Sequence, residues 1–258
     1  MPEPQPAHHP PAGGFASAHA SVADVEGWMT PGQARKLWDC ASEVKPGGQI
    51  VEIGSFRGRS TIVLARAIKA DVTLIAIDPH AGNDRGPQEI EGFEEHAAAD
   101  FDVFRDNLER AGVSDKVRHL RKFSSEAITD VPEPIDLLYI DGAHRFRPAL
   151  DDIRLWSDKI KPGGTLLIHD SFSSIGVTGA LIAELFFSRE FRYVGRSESM
   201  THYRREALEG SERRRNAARQ AAQLPWFARN VAIKSLIVAH LGRLTQPLFG
   251  HDPSVWPY

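Results

Sequence analysis

A chain of 258 residues with 31 basic and 34 acidic side chains, formal charge −3, has no global basic field, which argues against a nucleic-acid partner. Its one cysteine, Cys40, excludes an intrachain disulfide and suits a reducing cytoplasm. No run reaches the roughly 18 apolar residues of a membrane span, and no internal linker divides a length sufficient for one substantial core.

Residues 1–21 are rich in Pro, Ala, Gly and His without periodicity and read as a disordered tail, with neither the apolar core nor the basic head of a secretory signal. The paired His8 and His9 in that tail read as incidental. A helix opens at Pro31 behind Thr30 as its cap, carries Ala34, Leu37, Trp38 and Ala41 inward, and stops near Lys45-Pro-Gly-Gly48. The most informative stretch follows: Ile50-Val-Glu-Ile-Gly-Ser-Phe-Arg-Gly-Arg-Ser-Thr61. A short apolar run, two glycines, and then Ile62, Val63, Ala67 and Ile68 at helical spacing describe a strand, a tight turn and a helix. The first amides of such a helix point unpaired toward the turn, at the positive end of its dipole, so a carboxylate or phosphate is the natural guest. A pyrophosphate is disfavoured, because the glycines are Gly54 and Gly58 and the bulky Phe56 stands where close backbone approach would be needed. The next buried strand, Val72 to Ile77, ends in Asp78, an acceptor for a ribose diol.

Glu52-Ile-Gly-Ser-Phe-Arg-Gly-Arg-Ser60 resembles the first motif of class I S-adenosylmethionine-dependent methyltransferases, in the form E-I-G-S-x-x-G-x-S of a branch that includes actinobacterial sugar O-methyltransferases. The resemblance covers roughly residues 25–205. It implies a doubly wound, Rossmann-like α/β fold with a mostly parallel seven-stranded sheet, order 3-2-1-4-5-7-6, and an antiparallel last strand. It also implies cofactor contacts from Glu52, Ile53, Gly54, Ser55, Gly58, Ser60 and Asp78, and places Trp28 and Met29 beside the cofactor cleft, where packing against the core is an equal reading.

Beyond Asp78, Pro79-His-Ala-Gly-Asn-Asp-Arg-Gly-Pro87 is too long and polar for a plain connection and suggests a substrate lid over 80–95, with His80, Arg85 and His96 as candidate contacts. Residues 91–111 read as helix, Val117 to Leu120 as a short strand. After it, Lys122-Phe-Ser-Ser-Glu126 falls where the resembling family reads adenine, which nominates Phe123, Ser124 and Ser125; a helix cap explains the same letters. Ile135-Asp-Leu-Leu-Tyr-Ile-Asp-Gly-Ala-His144 delivers Asp141 at a strand tip and His144 three residues on. A helix with Leu150, Ile153 and Trp156 leads to a turn at Lys161-Pro-Gly-Gly164 and a strand ending in His169 and Asp170. A helix with Val177, Leu181 and Leu185, two strands over 191–196 and 200–204, and helix over 211–245 complete the chain. The run Arg213-Arg-Arg215 reads as a solvated helix face, and the aromatic tail from Phe249 to Tyr258 suits a partner in a homodimer or a lid over the active site.

Adjacent strands lie ~4.8 Å apart, so Asp141 and Asp170 at neighbouring tips can share a hard cation such as Mg²⁺, with His169 beside them as a third, softer ligand. His144 is the candidate general base and Asp141 also flanks the cofactor crevice. The domain is expected over 22–210, with 211–258 as its helical extension. The expected activity is methyl transfer from S-adenosylmethionine to a sugar or oligosaccharide hydroxyl; a phenolic small-molecule acceptor and a non-catalytic module binding the same nucleoside remain alternatives.

Overall fold

The computed structural model describes residues 14–81, 93–132 and 134–252. Two helices, α1 (Phe15–Ala20) and α2 (Pro31–Glu43), precede strand β1 (Gln49–Ile53); α3 (Arg59–Ala67), β2 (Thr73–Ile77), α4 (Phe93–Arg110), β3 (Val117–Leu120), α5 (Ser124–Ala127), β4 (Ile135–Ile140), α6 (Phe146–Ser157) and β5 (Ile160–Ile168) then alternate. After α7 (Ile175–Glu184) come the hairpin strands β6 (Phe191–Ser197) and β7 (Met200–Arg205), and the chain ends in α8 (Gly210–Ala221), α9 (Leu224–Val238) and α10 (Thr245–Phe249).

The seven strands form one sheet in the order β3-β2-β1-β4-β5-β7-β6. The first five are mutually parallel, and β7 runs antiparallel to both of its neighbours. This is the Rossmann-like architecture expected from the strand-helix alternation and the first motif. Parallel strands are covered on both faces, and alternate side chains therefore serve two cores. Val51, Leu138, Ile140, Leu166 and Ile168 join the cluster around Trp156 of α6, whereas Ile50, Leu137, Tyr139 and Leu167 join the cluster around Leu37 of α2 and Leu64 of α3. Glu52 is fully buried on that second face, opposite Tyr139 in register.

Register decides where the chemistry goes. Ile53 pairs with Ile77 and with Ile140, and Ile140 pairs with Ile168. The next residue of each strand thus falls on one line across the carboxyl edge: Gly54, Asp78, Asp141 and His169. Backbone bonds carry the ladder one step past the strands, with the Gly54 amide donating to the Ile77 carbonyl (2.9 Å), Asp141 to Ile53 (2.8 Å) and His169 to Ile140 (2.9 Å).

Three expectations change. The tail expected over 1–21 is helical from Phe15, because Ala18 and Val22, four residues apart, bury on one face against the core; residues 1–13 lie outside the described residues. The turn expected at 161–164 is a bulge inside β5, which already pairs at Ile160 with Ile135 and shifts register before Leu137, with Gly163 at φ +77°. The helical stretch expected over 211–245 is divided, since Pro225 can occupy only a first turn and opens α9. Leu224, Trp226 and Phe227 of that segment pack against the β4–β5 core, and Asn230 donates to the Phe172 carbonyl at 3.3 Å. Among the described residues no helix is long and apolar enough to cross a membrane.

Candidate active site

The turn between β1 and α3 is shaped by two left-handed glycines, Gly54 (φ +87°) and Gly58 (φ +88°). Phe56 is also left-handed (φ +44°), and its ring lies 5.6 Å from that of Trp28, which is 43% exposed. Trp28 therefore covers the turn, whereas Met29 packs into the core. The turn does hold a carboxylate, but one from its own chain: Asp78 Oδ2 accepts from the amides of Ser55 (3.0 Å) and Phe56 (2.8 Å), and Oδ1 from the His80 amide (2.8 Å). Three of the roughly four lone-pair sites of that carboxylate are taken, leaving room for one ribose hydroxyl.

Glu52 and Ser60, both expected to touch a cofactor, bond to each other. The Ser60 hydroxyl donates to Glu52 Oε1 and that of Thr61 to Oε2. A buried carboxyl thus clamps the first turn of α3 to β1. Burial raises the pKa of Glu52 to about 8, with the two hydroxyls pulling the other way. The folded protein consequently keeps a proton between about pH 4.5 and 8 that the unfolded chain has released, so this group's contribution to stability declines as pH rises through that window. Glu52→Gln is expected to remove the decline: relative to the variant, the urea midpoint of the parent protein should fall between pH 5 and 8, and parallel midpoints would show that Glu52 titrates normally.

On the far side of the crevice, five ionisable groups converge. Asp170 Oδ2 lies 2.9 Å from His144 Nε2 and 3.2 Å from His169 Nδ1, and Asp141 Oδ1 lies 3.1 Å from the same His169 nitrogen. Tyr139 donates to Asp141 Oδ2 at 2.9 Å. Burial opposes protonation of His169, but Asp141 and Asp170 overrule it and raise its pKa well above 6.5. His144 follows the same logic with Asp170 as its principal partner, and its pKa is also raised. Asp170 is the mirror image: burial alone would raise its pKa, yet the charge of His169 and the bonds from both imidazoles hold it well below 3.8.

The expected metal set was Asp141, Asp170 and His169. The structure instead groups Asp141, Asp170 and His144, one ligand atom from each lying within 4.8 Å of the others. His169 is buried behind them, its Nε2 3.3 Å from Gln33 Oε1. Gln33 belongs to the capping box of α2: its Oε1 accepts from the Thr30 amide (2.8 Å) and its own amide donates to Thr30 Oγ1 (3.2 Å). Thr30 was legible as the cap of this helix, but the part played by Gln33 was not. Nor was its second use, turning the same oxygen toward His169.

Other candidates disperse. His80 is 5% exposed and sits in a cluster with His119, Phe101 and Phe104 at centroid distances of 5.1 to 5.4 Å, its Nδ1 3.9 Å from Asp78 Oδ1. Arg85 and the side chain of His96 lie outside the described residues, as does most of the lid expected over 80–95. Phe123 is 56% exposed at the end of β3, Ser124 donates its hydroxyl to Asp152, and Ser125 is exposed beside them. An open depression of about 560 Å³ between β6 and α8, lined by Arg196, Arg219 and Gln223, holds none of the acidic or imidazole groups above.

Comparison with known proteins agrees with this architecture. Residues 51–171, from within β1 to just beyond β5, match the model of a methyltransferase domain family. An uncharacterised protein of Acanthamoeba polyphaga mimivirus is 31% identical over 125 residues, covering 46% of this chain; the chain spans about half the length of that curated relative. Among solved structures, the O-methyltransferase NovP superposes with a TM-score of 0.55 at 19% identity, covering 70% of this chain and 83% of its own. The O-methyltransferase TomG from Streptomyces achromogenes, solved in complex with S-adenosylmethionine, gives 0.50 at 18% identity, covering 75% and 89%. At such identities the structural likeness speaks for the fold, which is the class I methyltransferase fold.

Proposed function

We propose that this chain transfers a methyl group from S-adenosylmethionine to a hydroxyl oxygen of a small acceptor, a sugar or oligosaccharide in the first instance. One observation carries the reading: strand register aligns the glycine turn and Asp78, suited to an amino-acid nucleoside, with Asp141, beside which His144 and Asp170 gather as groups suited to an alcohol. The methyltransferase-domain match over the same residues supports it.

The sulfonium is already an activated donor, so the protein must align the acceptor oxygen behind the methyl group and take its proton. A divalent cation fits the donor set. Two carboxylates suit Mg²⁺, and one imidazole admits Mn²⁺. Asp141 and Asp170 would hold it, and the chemistry it supplies when bound is a lowered acceptor pKa and a fixed direction of attack. His144 is half-buried with its Nε2 donating to Asp170, which leaves Nδ1 as the nitrogen that would accept the proton. Its position within 4.8 Å of both carboxylates also favours a second reading, in which the ring is the third ligand. The sugar acceptor rests on the resemblance of the Asp141-x-x-His144 pairing to that of sugar O-methyltransferases in the branch named above; a phenolic acceptor and a non-catalytic binder are the rivals. The lone Cys40, its thiol pushed up to about 11 by burial, suits a cytoplasmic enzyme, and exposed Val238 and Leu248 make a homodimer the assembly to look for.

The test is a screen of sugar and phenolic acceptors with labelled donor, with and without chelator. Sugar methylation that chelator abolishes and Mg²⁺ restores is the expected result; full activity in chelator removes the cation, and no product with any acceptor leaves a binding module. His144→Ala should lose activity on the order of 10²- to 10⁴-fold with S-adenosylhomocysteine affinity unchanged. Retained Mn²⁺ affinity in that variant marks a base, and lost affinity marks a ligand.

A further inference from the structure

Helix α9 belongs to the C-terminal extension, beyond the residues that match a methyltransferase domain, yet two of its side chains bond to the loop that begins at Asp170. Asn230, 1% exposed, donates its amide to the Phe172 carbonyl at 3.3 Å. Four residues on, and so on the same helix face, Lys234 Nζ donates to the Ser173 carbonyl at 3.0 Å and to Ser173 Oγ at 2.8 Å. A half-buried ammonium gives up hydrogen bonds to water, and these acceptors replace them. The loop needs holding. Asp170 (φ +53°) and Phe172 (φ +57°) are both left-handed, a backbone that residues other than glycine keep only where the surroundings impose it. Phe172 is fully buried, and Ser171 anchors the start of the loop by donating to the Ile168 carbonyl at 2.8 Å.

The same loop reaches the other half of the site. Ser174 Oγ donates to the His144 carbonyl at 3.1 Å, and a Cβ added to Gly176 would lie 2.2 Å from that oxygen, so the start of α7 and the His144 loop pack backbone to backbone. Residues 170–174 therefore join Asp170 to His144, and the carbonyls of Phe172 and Ser173 between them end on α9. We infer that Lys234 and Asn230 are positioning residues: by holding those two carbonyls they set Asp170 and His144 against Asp141 in the arrangement that suits a divalent cation. The inference rests on the proposed reading of that cluster, and it gives the C-terminal extension a role in the site. Released from α9, the loop can relax toward right-handed backbone angles, and the Asp170 carboxylate moves with it.

The experiment compares the full chain with Lys234→Met, which keeps the length and apolar stem of lysine but cannot donate, so that a side chain that merely packs loses little. Hydrogen exchange read by mass spectrometry reports on the loop directly, because the Ser173 and Ser174 amides donate to the Asp170 carbonyl. Exchange at these amides should quicken at least ~10-fold in the variant, with peptides from β1 and β4 unchanged. Titration with Mn²⁺ should show roughly 10- to 100-fold weaker binding, the usual cost of losing a group that orients metal ligands, while S-adenosylhomocysteine binds within about threefold of the parent affinity. Asn230→Leu, close in shape and equally unable to donate, should give the same split and keeps the test decisive if the methionine variant fails to fold. Parental exchange at 173 and 174, quickened exchange across the whole sheet, or quickened loop exchange with parental Mn²⁺ affinity overturns the inference. So does an equal loss of affinity for Mn²⁺ and S-adenosylhomocysteine. A parent protein that binds no Mn²⁺ overturns the cation reading of the cluster itself, and this inference with it.

Discussion

Exchanging Asp170 for asparagine is expected to lower turnover by about 10³-fold or more while S-adenosylhomocysteine binds within about threefold of the parent affinity. The substitution is nearly isosteric and conformationally mild. Asp170 sits at φ +53°, a left-handed conformation that asparagine tolerates better than most residues. The amides of Ser173 (3.2 Å) and Ser174 (2.8 Å) bond to its main-chain carbonyl, which the change does not touch. What disappears is charge. The Asp170 carboxylate faces His144 and His169 at once, and no other group described at the site does so. An amide oxygen accepts from one of them with half the electrostatic pull, so His144 loses the principal partner that raises its pKa, His169 keeps only Asp141, and a divalent cation loses one of its two anionic ligands. Added Mg²⁺ should therefore fail to rescue the variant. The same ion pairing has a stability signature. Because the folded-state pKa is depressed, the stabilisation Asp170 brings is present above its ordinary value of 3.8 and is lost as pH falls below it; the asparagine variant should lack that acid limb. Turnover within tenfold of the parent, at saturating acceptor and metal, would falsify the arrangement.

Much of this site was legible because strand tips in a parallel sheet align. Once Ile53, Ile77, Ile140 and Ile168 are recognised as strand ends, Gly54, Asp78, Asp141 and His169 must lie side by side. Which atoms meet was not legible. His144 rather than His169 completes the cluster with Asp141 and Asp170, because His169, the first residue past β5, sets its Nε2 against Gln33, while His144, on a loop, lies against Asp170. Glu52 reads as a ligand contact from the first motif and Asp78 from its place at a strand tip; the hydroxyls of Ser60 and Thr61 bond to Glu52, and the amides of Ser55 and Phe56 to Asp78, which spacing alone does not reveal. Sequence spacing places a side chain at a strand tip; it does not say which of several donors within reach will take it. Short helices suffer from the same blindness. The α1 segment has too few large apolar residues to show periodicity, and its burial rests on Ala18 and Val22, small contacts that depend on a surface supplied by later parts of the chain.

Gly54→Ala is the second change with a large expected effect, and it acts on the fold and the crevice together. The residue has φ +87°, where a Cβ costs about 1–2 kcal/mol by itself. The steric cost is added to that. A Cβ at this position would lie 2.2 Å from the Asp141 carbonyl oxygen, 2.6 Å from its carbon and 2.9 Å from the Gly142 Cα. These are backbone atoms of the neighbouring strand end, held by the bond from the Asp141 amide to the Ile53 carbonyl, and they cannot rotate away as a side chain could. Relief requires β1 and β4 to part at their tips, with overpacking strain of roughly 1–3 kcal/mol. The combined penalty, about 2–5 kcal/mol, corresponds to a fall in melting temperature of several degrees or more for a chain of this size. The displaced tip carries Asp141, so binding should suffer even in the fraction that stays folded: S-adenosylhomocysteine affinity is expected to drop by at least ~10-fold at a temperature well below the melt. Serine at the same position should behave like alanine, because the obstruction is the Cβ and not its substituent. An alanine variant with parental melting temperature and affinity would mean that β1 and β4 do not approach this closely at their ends, and the alignment of the glycine turn with the acidic tips would lose its physical basis.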